Sequence, residues 1–349
     1  MQEHNLSSQI ELFDQSNITI GSNNPNPKPN KQTAFTTGWE VLQKPGIEQR
    51  FFVENIFPEG TICLISGPSD TGKSILARQI AVAAALNKDN VMGFQLNLRH
   101  GKAIYVSTED GESTWQEKLK KYQLTESDMR LTTNLRLSFD IEQFDVTVLE
   151  NALKLEPADV VVIDVFTDLY PADLNNPIQV RKFFAPYKAL AARYGCTFLF
   201  VHHLNKKGES SAPSKLNVSG SQAIESAMRC VIELRADPTD DNMRHLVVTK
   251  CNILPPHEKK LSYRLELKPT LEFNYTDERA PIDSLGNSRP GLSVEQRARA
   301  IEVCKNFSVR QASVELAKEG IRIGKSALAE MYRLQKEKGD GQEKVELAA

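Results

Sequence analysis

Gly67 and the triplet Gly72-Lys73-Ser74 carry the strongest chemical signal in the chain. They stand in TICLISGPSDTGKSIL, Thr61 to Leu76, where a short apolar run enters a glycine-bounded loop and a helical pattern follows at once. The spacing G-x-x-x-x-G-K-[ST] between a strand and a helix is the P-loop pattern. Its chemistry is polyphosphate binding. Glycines remove side chains where backbone N–H groups wrap an anion, and the following helix points its partly positive end at the phosphates. Gly67, Pro68, Ser69, Asp70, Thr71, Gly72, Lys73, Ser74 and Ile75 are therefore expected to form the ATP site. Lys73 would reach the β- and γ-phosphate oxygens and the Ser74 hydroxyl would ligate Mg²⁺. The bland alternative is a glycine-rich strand-to-helix turn, since short motifs recur by chance, but the flanking strand and helix both fit the P-loop.

Hydrolysis asks for two further groups. A P-loop needs a carboxylate at the end of a neighbouring strand, and VVVID supplies Asp164 after four β-branched residues. Asp164 would hold the water shell of Mg²⁺ beside Ser74. A water-activating group is the second need, and AIYVS delivers Thr108, Glu109 and Asp110 at a strand's carboxyl end, the edge where open α/β sheets place ligands. Glu109 is the expected general base; Asp110 is the alternative, or a helix N-cap. CTFLFVHH ends in His202 and His203. Alternation along a strand lets only one of them face the nucleotide, and His203 is read as that one, a γ-phosphate sensor.

These residues require a scaffold of strands alternating with helices. From Thr61 the pattern predicts strands at 102–107, 134–139, 159–164, 196–202 and 230–235, and helices at 73–87, 112–122, 146–155, 177–194 and 219–229. This is the signature of an α/β fold with a mainly parallel sheet. Strands at 244–251, 261–267 and 271–275 follow without helices between them, implying antiparallel edge strands. The five cysteines are scattered without a C-x-x-C pair and read as reduced core residues, and the histidines show no metal-ligand spacing. With 349 residues, a net charge of −2 and no leader-like or membrane-length apolar stretch, the expectation is a cytoplasmic protein with no membrane partner and no global field for nucleic acid.

Composition divides the rest. Residues 1–36, rich in Asn, Ser and Pro, are expected to be a disordered tail; 37–275 the ATPase domain, with Trp39, Phe51, Phe52, Ile56 and Phe57 packing as its lead-in; and 276–294 a linker. Residues 295–338 read as a small all-α domain, with 339–349 a second tail. A capping box at Ser308 and Gln311 opens its middle helix, Gly320 closes it, and Lys325 to Lys336 forms the next, which suggests a helix-turn-helix. Ten Lys/Arg against five Glu between Arg297 and Lys338 give a local +5. Duplex DNA bound through Lys325, Ser326 and Arg333 is one reading; a protein-docking bundle with a basic face is the other.

The segments GPSDTGKS, YVSTED, VVVIDVFTDLY, CTFLFVHHLNKKG, NVSGSQAIESAMRC and VVTKCN, in this order, resemble the RecA-like ATPases of the plasmid RepA type, hexameric replicative helicases, over about residues 38–275. The resemblance implies nucleotide held between subunits of a homo-oligomeric ring, Glu109 as catalytic base, His203 as γ-phosphate sensor and Arg229 as an arginine finger given to a neighbour. Lys250 is a second candidate for that finger. It also implies that the polar segment 206–218 faces the ring channel and touches single-stranded DNA through Lys206, Lys207 and Lys215. Three activities follow as expectations: an ATP-driven DNA motor or helicase, an ATP-dependent DNA-binding regulator or loader, and an ATPase acting on protein.

Overall fold

A computed structural model of the chain describes residues 36–43, 50–220, 222–285, 294–319, 321, 323, 328, 329, 331 and 332. It divides into a unit before residue 49, of which only residues 36–43, including the helix Gly38–Gln43, are described, and a second unit from Gln49 onward.

Nine strands of the second unit form one sheet: β1 (Ile62–Gly67), β2 (Ala103–Ser107), β3 (Leu135–Ser138), β4 (Val160–Asp164), β5 (Thr197–His203), β6 (Cys230–Ala236), β7 (Met243–Cys251), β8 (Leu261–Leu267) and β9 (Phe273–Pro281). Their spatial order is β9-β8-β7-β6-β1-β5-β4-β2-β3. Every pair from β6 to β3 is parallel, and β6 through β9 pair antiparallel. The parallel strands are covered on both faces, so they read as continuous apolar runs: all of Val160 to Ile163 is fully buried. Each such side chain contributes about 1.5–3 kcal/mol of burial free energy.

Alternation sorts the two faces. Cys63, Ile65, Tyr105, Val162, Leu199 and Val201 pack with Leu76, Ala77 and Ile80 of helix α1 (Lys73–Ala85). Leu64, Ile104, Val161, Phe198 and Phe200 pack on the other face, against Leu149 and Leu153 of α2 (Val146–Leu155) and Phe184 and Leu190 of α3 (Pro177–Tyr194). Local signals set the ends of these helices. Asp145 caps α2 and Asn176 caps α3 by accepting N–H bonds, and Gly195 stops α3 in the left-handed region at φ 64°.

Three sequence expectations change. The strand of Asp164 is not beside the P-loop strand, because β5 runs between β1 and β4. The sheet continues past 275: β9 reaches Pro281 and a 3₁₀ turn occupies Ile282–Leu285, so the first ten residues assigned to the linker are ordered. An edge strand with one wet face is rich in charge, and DERAP reads as linker for that reason; Glu278 in fact pairs with Arg264, and Arg279 with Glu258. The helix expected at 219–229 is only Gln222–Ala227. Of the lead-in, Phe52, Ile56 and Phe57 are core residues. The cysteines, scattered in sequence, are all free and buried, and register aligns Cys63, Cys230 and Cys251 across three neighbouring strands.

The helices Val294–Asn306 and Val309–Lys318 have a core of their own from Ala300, Val303, Ala312, Leu316, Ile321 and Leu328. Both halves of the Ser308–Gln311 capping box form. No helix among the described residues is long and apolar enough to cross a membrane.

Candidate nucleotide site

The P-loop leaves β1 at the carboxyl edge and is packed too tightly for side chains at its glycines. A Cβ on Gly67 would lie 2.5 Å from the Leu234 carbonyl oxygen of β6. Gly72 sits at φ 94°, and a Cβ there would meet the Phe273 ring at 2.9 Å. Gln79 of α1 locks Phe273 in place, donating to its carbonyl at 2.9 Å and accepting from its N–H at 2.8 Å. Inside the loop Thr71 Oγ1 donates to the Pro68 carbonyl (2.9 Å), and Arg244 Nε donates to the Thr71 carbonyl (3.0 Å). Gly72 offers α1 no side-chain cap, so the helix's first N–H donors remain available to an anion.

Lys73 Nζ lies in the loop mouth, donating to the Pro68 carbonyl at 2.7 Å. Burial lowers its pKa, and the carboxylates of Asp164, Glu109, Asp70 and Glu209 oppose the shift. Ser74 Oγ donates to Asp164 Oδ1 at 3.2 Å, and Tyr105 from β2 donates to Asp164 Oδ2 at 2.5 Å. Asp164 is buried, which raises its pKa, while Tyr105, Ser74 and Arg78 favour the charged form. Paired hydroxyl and carboxylate oxygens beside the P-loop are a hard donor set of the kind that fits Mg²⁺, and Ser74 and Asp164 are the residues that would hold it.

The ends of β2 and β4 are laced together by Thr108. Its N–H donates to the Asp164 carbonyl (2.9 Å), its hydroxyl donates to Asp168 Oδ2 (2.6 Å) and accepts from the Val165 N–H (2.9 Å). The next residue, Glu109, is exposed and makes no hydrogen bond or ion pair among the described residues. Asp110 is committed. It pairs with Arg78 (2.9 Å) and with Lys118, and the cap of the helix Glu112–Lys120 is Gly111, so Asp110 is not the N-cap. Of the two carboxylates, only Glu109 is free to meet a water molecule.

His202 and His203 divide as alternation requires. His202 is on the α3 face, 4.8 Å from Phe166 between ring centres, with Nε2 on the Ser219 carbonyl (3.0 Å) and burial lowering its pKa to about 4. His203 follows Leu199 and Val201 on the α1 face, opposite Gly67 in the β1 register. Lys206, Lys207 and Lys215 are exposed on the segment that leaves this edge. Arg229 is not brought to the site. Its N–H bonds the Ile62 carbonyl at the amino edge, five strand residues from Gly67, about 17 Å. Lys250 is occupied by the Glu225 carboxylate (3.0 Å) and carbonyl (2.8 Å). Lys325, Ser326 and Arg333 lie outside the described residues.

Sequence reading missed Tyr105, Arg78 and Arg244, and placed Thr108 at the edge without giving it a part. Arg78 had a signal, a charge one helical turn after Ser74 on an otherwise apolar helix; it is 1% exposed and stacks on Trp115 at 4.9 Å. Tyr105 is visible only once register sets β2 beside β4.

This strand order and this site define a P-loop ATPase. The chain belongs to the family described as an AAA domain, whose model matches residues 28–209, just over half its length. It is 26% identical over 203 residues to a UPF0273 protein of Sulfurisphaera tokodaii, covering 55% of this chain and 67% of that one. To the UPF0273 protein PF1931 of Pyrococcus furiosus it is 26% identical over 230 residues, covering 59% and 82%. Among solved structures it is similar to the KaiC-like protein PH0186 of Pyrococcus horikoshii, with a TM-score of 0.47 and 18% identity over 64% of this chain and 93% of that one.

Proposed function

We propose that this ATPase is a ring-forming, Mg-ATP-hydrolysing motor on single-stranded DNA, of the RepA-like replicative helicase type, with a hexamer as its working form. In this reading Lys73 and the α1 N-terminus neutralise the phosphates, Thr108 holds Glu109 where it orients the attacking water, and His203 reads the γ-phosphate. Ser74 and Asp164 would hold Mg²⁺, which would supply neutralisation of phosphate charge. Arg229, exposed on the edge opposite the P-loop, would serve a neighbouring copy, as the ring supplies. The observation that carries the DNA reading is the trio of exposed lysines, Lys206, Lys207 and Lys215, on a segment rooted at the catalytic edge. Leu216 beside them is 62% exposed and offers an apolar surface to a base in a segment without an aromatic residue.

The test is ATP turnover with and without a single-stranded oligonucleotide, for the wild type and for Lys206→Ala/Lys207→Ala/Lys215→Ala. Stimulation in the wild type and its loss in the variant is the expected result. Turnover indifferent to single strands in the wild type rejects the motor. The second reading, an ATP-dependent regulator or loader, is favoured by the separate core and capping box of the C-terminal helices, and predicts duplex DNA binding that depends on Lys325 and Arg333.

A further inference from the structure

Beneath the segment 206–218 lies a buried ion pair that the site chemistry leaves unused. Glu233 and Arg235 of β6 are 1% and 6% exposed, and their side chains meet directly, Arg235 Nε donating to Glu233 Oε1 at 2.5 Å. Burying both charges is costly unless their remaining hydrogen-bonding capacity is filled, and the segment fills it. Arg235 donates to three of its backbone carbonyls, those of Gly208 (2.5 Å), Glu209 (2.7 Å) and Ser211 (3.1 Å). Glu233 accepts from the Ser214 N–H (3.1 Å) and from Asn217 Nδ2 (3.4 Å), which also donates to the Ala212 carbonyl (2.9 Å). Both ends of the segment are thus clamped to two residues of one strand.

The residue between them touches the P-loop. The Leu234 carbonyl is the atom that a Cβ on Gly67 would strike, Ser66 Oγ donates to the Ile232 carbonyl at 2.7 Å, and Glu233 is the register partner of Ser66. Residues 232–235 therefore carry the P-loop's first glycine on their backbone and the 206–218 segment on their side chains. Glu209 closes the circuit, since its carboxylate lies within electrostatic reach of Lys73 and its carbonyl is one of those Arg235 holds.

We propose that Glu233 and Arg235 are positioning residues that make the 206–218 segment respond to nucleotide: a shift of the P-loop at Ser66 and Gly67 moves residues 232–235, on which it rests, and the Arg235 fork transmits the displacement through Gly208–Ser211 to the rest of the segment. A lysine at 235 would keep the charge but not the fork, which is a point donor's geometric deficit. The inference deepens the DNA reading, because the lysines it moves are the proposed DNA contacts, but its primary readout needs no DNA.

The experiment is hydrogen exchange of the full-length chain, with and without Mg²⁺ and a non-hydrolysable ATP analogue, for wild type, Arg235→Lys and Asn217→Ala. Asn217→Ala loosens the clamp without leaving a buried charge unpaired, and serves if Arg235→Lys does not fold. In the wild type the analogue changes exchange across 206–218 by at least about threefold; in the variants that change is lost while the KM for ATP in DNA-free turnover stays within about twofold. The proposal is overturned if the wild-type segment ignores nucleotide, or if a folded variant keeps the wild-type response. A wild type that responds in exchange but shows no turnover stimulation by single strands retains the coupling and removes DNA as its target.

Discussion

Tyr105→Phe isolates one hydrogen bond to the carboxylate assigned to Mg²⁺. The change removes a hydroxyl and leaves the ring, so the edge contact with Trp115 at 4.6 Å is kept. Asp164 Oδ2 loses its 2.5 Å donor in a buried site, leaving Ser74 on Oδ1. A hydrogen bond to a charged group contributes about 1.5–3 kcal/mol and a neutral one about 0.5–1.5 kcal/mol. The cost should therefore approach about 1.5–3 kcal/mol where Asp164 is ionised and shrink on acidification. The sign follows from burial. The folded Asp164 pKa already lies above its ordinary value, so the native state binds the extra proton and this group's contribution to stability falls as pH rises from about 3.8 through the raised folded value. Without Tyr105 the folded pKa rises further, by about one unit per 1.4 kcal/mol lost. Urea unfolding at several pH values reads the first effect. The acid limb of Mg-ATP turnover, moved to higher pH, and a Mg²⁺ requirement raised about 10–100-fold read the second. A variant whose stability loss does not vary with pH and whose Mg²⁺ requirement is unchanged would show that Tyr105 only packs.

Gly67→Ala drives a methyl into the Leu234 carbonyl, so nucleotide binding measured by calorimetry should be lost, with destabilisation of about 1–3 kcal/mol from overpacking; a variant that binds ATP normally would contradict the packing. His202 is held neutral by burial at a pKa of about 4, below its ordinary 6.5. Protons favour the unfolded chain over that window, so stability present above pH 6.5 should decline towards pH 4 by roughly 3 kcal/mol. His202→Gln should flatten that decline in urea titrations, and an unchanged slope would assign it elsewhere.

The fold was legible because its strands are buried on both faces and its helices carry their own stop signals, as VVVID and the Gly195 end of α3 illustrate. P-loop positions were legible because their spacing is itself the chemistry. What depends on register was hidden. No spacing along the chain tells that β5 separates β1 from β4, that Tyr105 reaches Asp164, or that Arg235 reaches back to Gly208. Sequence alone also leaves Glu109 and Asp110 as rivals for one role, and it could not show that Arg78 and Lys118 occupy Asp110. Strand β9 was half lost to a linker because its polar outer face resembles one.

Mg-ATP turnover of Glu109→Gln beside Asp110→Asn tests the site most directly. Loss of the water-orienting carboxylate should lower turnover about 100-fold or more, within the range general bases contribute, with ATP still bound at wild-type affinity. Asp110→Asn, which disturbs only the Arg78 and Lys118 pairs, should keep turnover within a few-fold. Wild-type turnover in Glu109→Gln, or an equal collapse in both variants, would contradict the assignment.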